Sequence, residues 1–214
     1  NAGADVAEIN AWNHPVPPIV DADALVVLGG SMSCQDDAEA PWLAPTRQLI
    51  SRTVRAGTPF LGICLGHQLA TVALGGQVCT SDHFCLGAAE MHLTPEGKKD
   101  PLLSVYDGHR GIHFNNDVAV VLPEDAVLLA RDPTGQIEAV RFAERAWGVQ
   151  FHPECTPEIF DAWTIGHGEK EWQQRLPWSE AVTVAETVRR DIDTVNAEEA
   201  FAARFQELID PEKR

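Results

Sequence analysis

Phe60-Leu-Gly-Ile-Cys64-Leu-Gly-His-Gln-Leu-Ala70 runs from an apolar stretch into a helical pattern through a cysteine set between two glycines. Pro59 to Ile63 reads as a buried strand and His67 to Leu74 as the helix it feeds. Small residues on both sides of Cys64 suit a sharp strand-to-helix elbow, where a bulkier side chain would collide with tightly folded backbone. Such an elbow holds the thiol at a helix N-terminus, where the dipole and free N–H groups favour a thiolate. Cysteines so placed have pKa values of roughly 3.5–7.5 rather than about 8.5 and are nucleophiles at neutral pH. The bland alternative is a buried structural cysteine, the usual fate of a lone Cys in an apolar run. The glycine bracket argues against it.

Far downstream, Trp147-Gly-Val-Gln-Phe-His152-Pro-Glu154 supplies a partner. Trp147 to Phe151 is a second short strand pattern, and Pro153 stops its continuation just after His152. A histidine and a carboxylate two residues apart at a strand end can act as a relay. The imidazole takes the thiol proton while the carboxylate orients the imidazole. His-Pro-Glu alone is weak evidence; paired with the cysteine elbow it is specific.

Together, and in this order, the motifs resemble those of the class I (triad) glutamine amidotransferase family, Gly-x-Cys-x-Gly-x-Gln and Gln-Phe-His-Pro-Glu. The resemblance runs from about Asp23 to Trp163 and is similar to the glutaminase domain of GMP synthase. It implies a flavodoxin-like three-layer α/β sandwich around a mostly parallel sheet. It implies Cys64 as nucleophile, His152 as base, Glu154 as its orienting partner, and no cofactor. The backbone N–H groups of Gly30 and Leu65 become the oxyanion hole, and Gln68 a contact to the substrate amide. Gly29-Gly30-Ser31-Met32-Ser33 lacks the Gly-Lys-Ser/Thr that a phosphate loop would need.

Two positions depart from the family pattern. Where His-Gly-Asp is common, the chain has His113-Phe114-Asn115-Asn116-Asp117, and Cys85-Leu-Gly87 replaces a frequent Glu-Ile-Gly. Phe114, Asn115 and Asn116 are therefore candidate substrate-binding residues whose change bears on substrate choice. The expected reaction is ammonia release from a γ-glutamyl amide, glutamine first, through a γ-glutamyl thioester. A γ-glutamyl peptidase or hydrolase remains open on the same fold. So does a non-catalytic binding subunit with an eroded substrate site. A free-standing enzyme and one served by a synthase partner subunit are both compatible with the chain.

Composition narrows the rest. The 214 residues suffice for one ordinary domain with a substantial core. A formal net charge of −16 argues against direct nucleic-acid binding, and no apolar run is long enough for a membrane span. Five cysteines, odd in number and irregular in spacing, fit a reducing cytoplasm rather than a disulfide scaffold. His109 and His113 have helical i, i+4 spacing, but Gly111 between them and the missing Glu disfavour a zinc helix, so no metal is expected.

Along the chain, Ala4 to Ile9 alternates weakly and reads as a strand, and Ala24 to Leu28 as a covered parallel strand. Trp42 to Ala56 reads as a helix closed by Gly57. Short strands are expected at 91–94, 111–114, 127–130 and 137–142 before the return at Trp147. Residues 1–163 form the catalytic domain in this reading. Residues 164–214 form a helical extension packed on it, with amphipathic helices at Ser179–Ile192 and Ala197–Ile209. The family places a strand and a helix ahead of the segment at Ala4–Ile9. The sequence is therefore expected to lack its natural N-terminus.

Overall fold

The computed structural model describes residues 3–164, 178–192 and 197–209. Its spine is a six-stranded sheet of order β1-β2-β8-β7-β6-β4. The strands are β1 (Leu25–Val27), β2 (Phe60–Ile63), β4 (His92–Leu93), β6 (Val127–Arg131), β7 (Ile137–Ala143) and β8 (Ala146–Val149). The half that carries β1, β2 and β8 is parallel, and β8, β7, β6 and β4 run antiparallel to their neighbours. The sheet is thus mixed rather than mostly parallel, because β7 and β8 are joined by a tight turn instead of a helical crossover. A separate antiparallel ribbon pairs β3 (Gln77–Glu90) with β5 (Arg110–Val121).

Helix α1 (Leu43–Arg55) buries Leu43, Thr46, Leu49, Ile50 and Thr53, a single stripe at helical spacing. Arg52 and Arg55 in its last turn complement the dipole, and Gly57 at φ 74° reverses the chain. Helix α2 (Leu65–Ala73) lies beside it and is buried along nearly its whole length. Glycines let α2 approach the sheet. A Cβ at Gly148 would lie 2.5 Å from His67 Nδ1, and one at Gly62 only 2.6 Å from the Gly66 backbone.

Strand β2 is buried at every residue, as a central strand covered on both faces should be. Phe60 joins Leu43, Ile50, Leu65, Leu69 and Phe142 beneath α1 and α2. Leu61 and Ile63 point the other way, to Tyr106, Trp147, Val149 and Phe151. That second face is closed by α5 (Glu198–Ile209) through Phe201 and Phe205, giving three layers. Burying each such side chain contributes about 1.5–3 kcal/mol. Arg145 ties α5 down by donating to the carbonyls of Leu208 and Ile209 at 2.7 and 3.0 Å. Helices α3 (Pro157–Thr164) and α4 (Trp178–Ile192) pack on the ribbon around Ile112, Phe160, Ala185 and Val188.

Two further expectations change. Ala4–Ile9 is not a strand: Val6 and Ile9 are 78% and 53% exposed, and among the described residues no strand lies beside them to complete a ladder. Residues 77–90, where no strand was expected, form one long strand, and β5 is far longer than the expected 111–114. His109 and His113 lie at the start of β5, in keeping with the disfavoured zinc helix. Part of the expected extension, 165–177 and 193–196, lies outside the described residues. Among those described, no helix is long and apolar enough to cross a membrane.

Candidate active site

Cys64 has φ 50° and ψ −104°, the single non-glycine residue at positive φ among those described. The strain follows from the elbow, since β2 ends at Ile63 and α2 begins at Leu65 with Cys64 as its N-cap. A Cβ at Gly66 would lie 2.0 Å from the carbonyl oxygen of Val27, so only glycine fits there. Cys64 N–H donates to Val149 O at 2.8 Å, which registers the thiol against the end of β8.

Beyond β8 the chain continues through Gln150 and Phe151 to His152, whose N–H donates to Ile112 O at 2.8 Å. His152 Nδ1 is 2.8 Å from Glu154 Oε1, so the carboxylate fixes the proton on Nδ1 and frees Nε2. Nε2 is buried and makes no completed hydrogen bond, yet Cys64 is near enough to act on the ring electrostatically. Contact without a formed bond is common in unliganded catalytic pairs. Burial pushes the His152 pKa down, but Cys64 and then Glu154 outweigh it and lift the pKa to about 10. The Trp163 ring rests against the imidazole, centroids 4.6 Å apart.

Gly29 reports how closely these groups converge. A Cβ there would be 3.0 Å from His152 Cε1 and 3.5 Å from Cys64 Cβ, touching both at once. Gly30 approaches the start of α2, where its Cβ would be 2.8 Å from Leu65 Cδ2. The loop from β1 and the first turn of α2 therefore meet beside the thiol, as an oxyanion pocket built from Gly30 and Leu65 requires.

The expected substrate-binding residues fall differently. Gln68 is buried and donates through Nε2 to Asp117 O at 2.9 Å and to Gln150 Oε1 at 3.3 Å. Its amide nitrogen is engaged inside the protein rather than held toward a ligand. Asn115 is also buried; its Nδ2 donates to Asp117 O at 3.2 Å, and its Oδ1 accepts nothing. Phe114 and Asn116 are half-buried on β5, with Phe114 meeting Trp163 at 6.0 Å between centroids. Cys85 pairs with Asn115 across the ribbon, and burial followed by the charges of Glu138 and Asp132 raises its thiol to about 11, which makes it a poor nucleophile. Sequence reasoning missed Gly29, Ser33, Gln150 and Trp163 as parts of this site. It also missed Glu138, although a carboxylate in the apolar strand Ile137–Ala143 was a readable signal. Among the described residues no cluster of three or more His, Cys, Asp or Glu could hold a metal ion.

Residues 3–166 match the family described as glutamine amidotransferase class-I. The chain is 32% identical over 161 residues to YfeJ of Salmonella typhimurium, glutamine amidotransferase-like by name, covering 73% of this chain and 66% of that protein. It is 29% identical to a subunit of the glutamine-hydrolysing GMP synthase of Methanothermobacter thermautotrophicus, covering 65% of this chain and 70% of the relative. Against the glutamine-hydrolysing GMP synthase of Tolumonas auensis, 29% identical, 91% of this chain spans only 38% of the relative's length. A solved glutamine amidotransferase of Methylobacillus flagellatus superposes with a TM-score of 0.76 at 25% identity, covering 92% of this chain and 81% of that one. One of Thermotoga maritima does so at 0.73 and 21% identity, covering 88% and 78%, which is a likeness of fold.

Proposed function

The chain belongs to the class I glutamine amidotransferases, and from that premise we propose that it cleaves a γ-glutamyl amide through a γ-glutamyl thioester on Cys64. In this reading the Cys64 thiolate attacks the γ-carbonyl. The oxyanion that forms takes hydrogen bonds from the backbone N–H groups of Gly30 and Leu65. A missing donor of that kind typically costs about 2.7–4 kcal/mol of barrier. His152, held by Glu154, gives its Nε2 proton to the departing nitrogen as the C–N bond breaks. It then takes a proton from the water that cleaves the thioester, returning glutamate and free thiol.

The observation that carries the reading is the meeting of Cys64 and His152 at Gly29 with Glu154 locked on Nδ1. Glutamine is the first substrate because relatives bear the name of a glutamine-hydrolysing GMP synthase, whole or as one of its subunits. The same names support a synthase partner that would consume the ammonia. The five free cysteines and the thiolate chemistry favour a reducing compartment, the cytoplasm. A γ-glutamyl hydrolase acting on peptides or amines is the second reading, favoured by the buried Asn115 amide and its unpartnered Oδ1.

A substrate panel tests both. Ammonia and glutamate release would be measured from glutamine, γ-glutamyl dipeptides and γ-glutamylamines, with Cys64→Ala as control. Turnover of glutamine that disappears in the control supports the first reading. Turnover confined to larger γ-substituents supports the second. No release from any of them by the wild type, alone or with a synthase partner, would sink both.

A further inference from the structure

His113 and Glu138 form a second buried histidine–carboxylate pair that the chemistry above does not use. His113 Nε2 lies 2.6 Å from Glu138 Oε2, and Nδ1 lies 3.0 Å from Gly111 O. The two side chains are 4% and 1% exposed. Burial lowers the His113 pKa, but the charge of Glu138 and the bonds to Glu138 and Gly111 more than reverse this and favour its protonation. His152 is close enough for its own charge to oppose that protonation.

A buried ion pair rarely repays its desolvation, and apolar residues of similar volume would often hold the same joint as firmly. What the pair adds is direction. His113 stands on β5 of the ribbon and Glu138 on β7 of the main sheet, so the bond crosses from one sheet to the other. The backbone beside each partner grips the segment between them. Ile112 O accepts His152 N–H, and Glu138 O accepts Gln150 N–H, each at 2.8 Å. Gly111 closes on Phe151 so tightly that a Cβ there would lie 2.8 Å from Phe151 Cβ. The three residues Gln150 to His152, which follow β8, are thus held from both sides at the level of the pair.

We propose that His113 and Glu138 are positioning residues, whose bond fixes β5 against β7 and so sets the Gln150–His152 segment with His152 facing Cys64. The proposal rests on the catalytic reading of Cys64 and His152 but not on any substrate.

Iodoacetamide alkylation of Cys64 across pH, followed by peptide mass spectrometry to separate it from the other cysteines, reads the Cys64–His152 contact directly. His152→Gln gives the rate for a thiol without its base. Glu138→Gln and His113→Gln should each slow Cys64 alkylation near neutral pH by about tenfold or more, as a misplaced catalytic group does. The pH dependence should move toward that of His152→Gln. Where a substrate turns over, kcat should fall with KM little changed. The paired replacement His113→Leu with Glu138→Met keeps an apolar joint, so it should fold and still alkylate slowly. Folded variants, the apolar pair included, that alkylate with the wild-type profile would overturn the proposal. Should wild type react no faster than His152→Gln, the catalytic reading itself fails and takes the inference with it. A panel without turnover but with fast wild-type alkylation leaves the inference standing and removes only the substrate assignment.

Discussion

Ser33 Oγ donates to Asp117 Oδ2 at 2.5 Å, joining the loop of Gly29 and Gly30 to the far strand of the ribbon. Asp117 is a hub: its other oxygen accepts from Thr80 Oγ1 at 2.9 Å, and its backbone carbonyl accepts from Gln68 and Asn115. Ser33 N–H is held in turn by Asp36 Oδ2 at 2.7 Å. The Gly29–Gly30 loop, helix α2 and the ribbon are therefore tied at one residue.

Ser33→Ala should loosen that knot. A hydrogen bond to a charged group is worth about 1.5–3 kcal/mol, so urea unfolding should record a loss of about that size. The Gly29–Gly30 loop loses its tether at the same time, and under the proposed function kcat should drop more than KM rises. Unchanged stability and turnover would remove Asp117 from its role as hub.

Cys64 separates stability from catalysis. A non-glycine residue at this φ costs on the order of 1–3 kcal/mol, which glycine escapes. Cys64→Ala and Cys64→Gly should both be inactive, with the glycine variant the more stable by about 1 kcal/mol. Equal unfolding midpoints would show that the elbow is not strained.

His152 makes stability depend on pH. Its pKa in the fold is raised to about 10, against about 6.5 for a free histidine. A raised pKa contributes stability that is full below about pH 6.5 and is lost as pH climbs toward the folded value. The Glu154 carboxylate contributes to that rise by its hydrogen bond and its charge, so the stability gap between wild type and Glu154→Gln should narrow between about pH 6.5 and 10. Urea midpoints of both proteins across that range check it, and a constant gap would contradict the ion pair.

Gly29→Ala adds one methyl between the side chains of Cys64 and His152. Contact at 3.0 Å with His152 Cε1 is tighter than carbon atoms accept, so the ring must tilt. Turnover should fall by about a hundredfold, as for a misplacement of order 1 Å, with little change in melting temperature. Wild-type turnover in this variant would mean that the site is roomier than its geometry implies.

The elbow was legible because its glycines answer a local demand. Gly62 and Gly66 sit where strand and helix backbones nearly touch, and that shows in the residues themselves. The helices α1, α4 and α5 were legible from the spacing of apolar residues. The ribbon was not. The polar run Thr80-Ser81-Asp82 breaks the strand pattern, and the register slips between Thr80 and Cys85. Ala4–Ile9 failed for the opposite reason: its alternation is genuine, but a strand also needs a neighbour to take its hydrogen bonds. Gln68 sat at the expected place on its helix. The carbonyl of Asp117 then claimed its amide, a partner 49 residues away that periodicity cannot reveal.

The division into two sheets has a consequence for descent. Cys64 and His152 leave the ends of β2 and β8, whereas Phe114, Asn115 and Asn116 ride on β5. Chemistry and appetite are written on separate pages, stitched together at a few points such as Asp117 and the His113–Glu138 bond. Under the proposed function, mutations accumulating on the ribbon can alter which molecule is gripped while Cys64 and His152 stay in place. Lineages built on this plan are free to change diet faster than they change teeth.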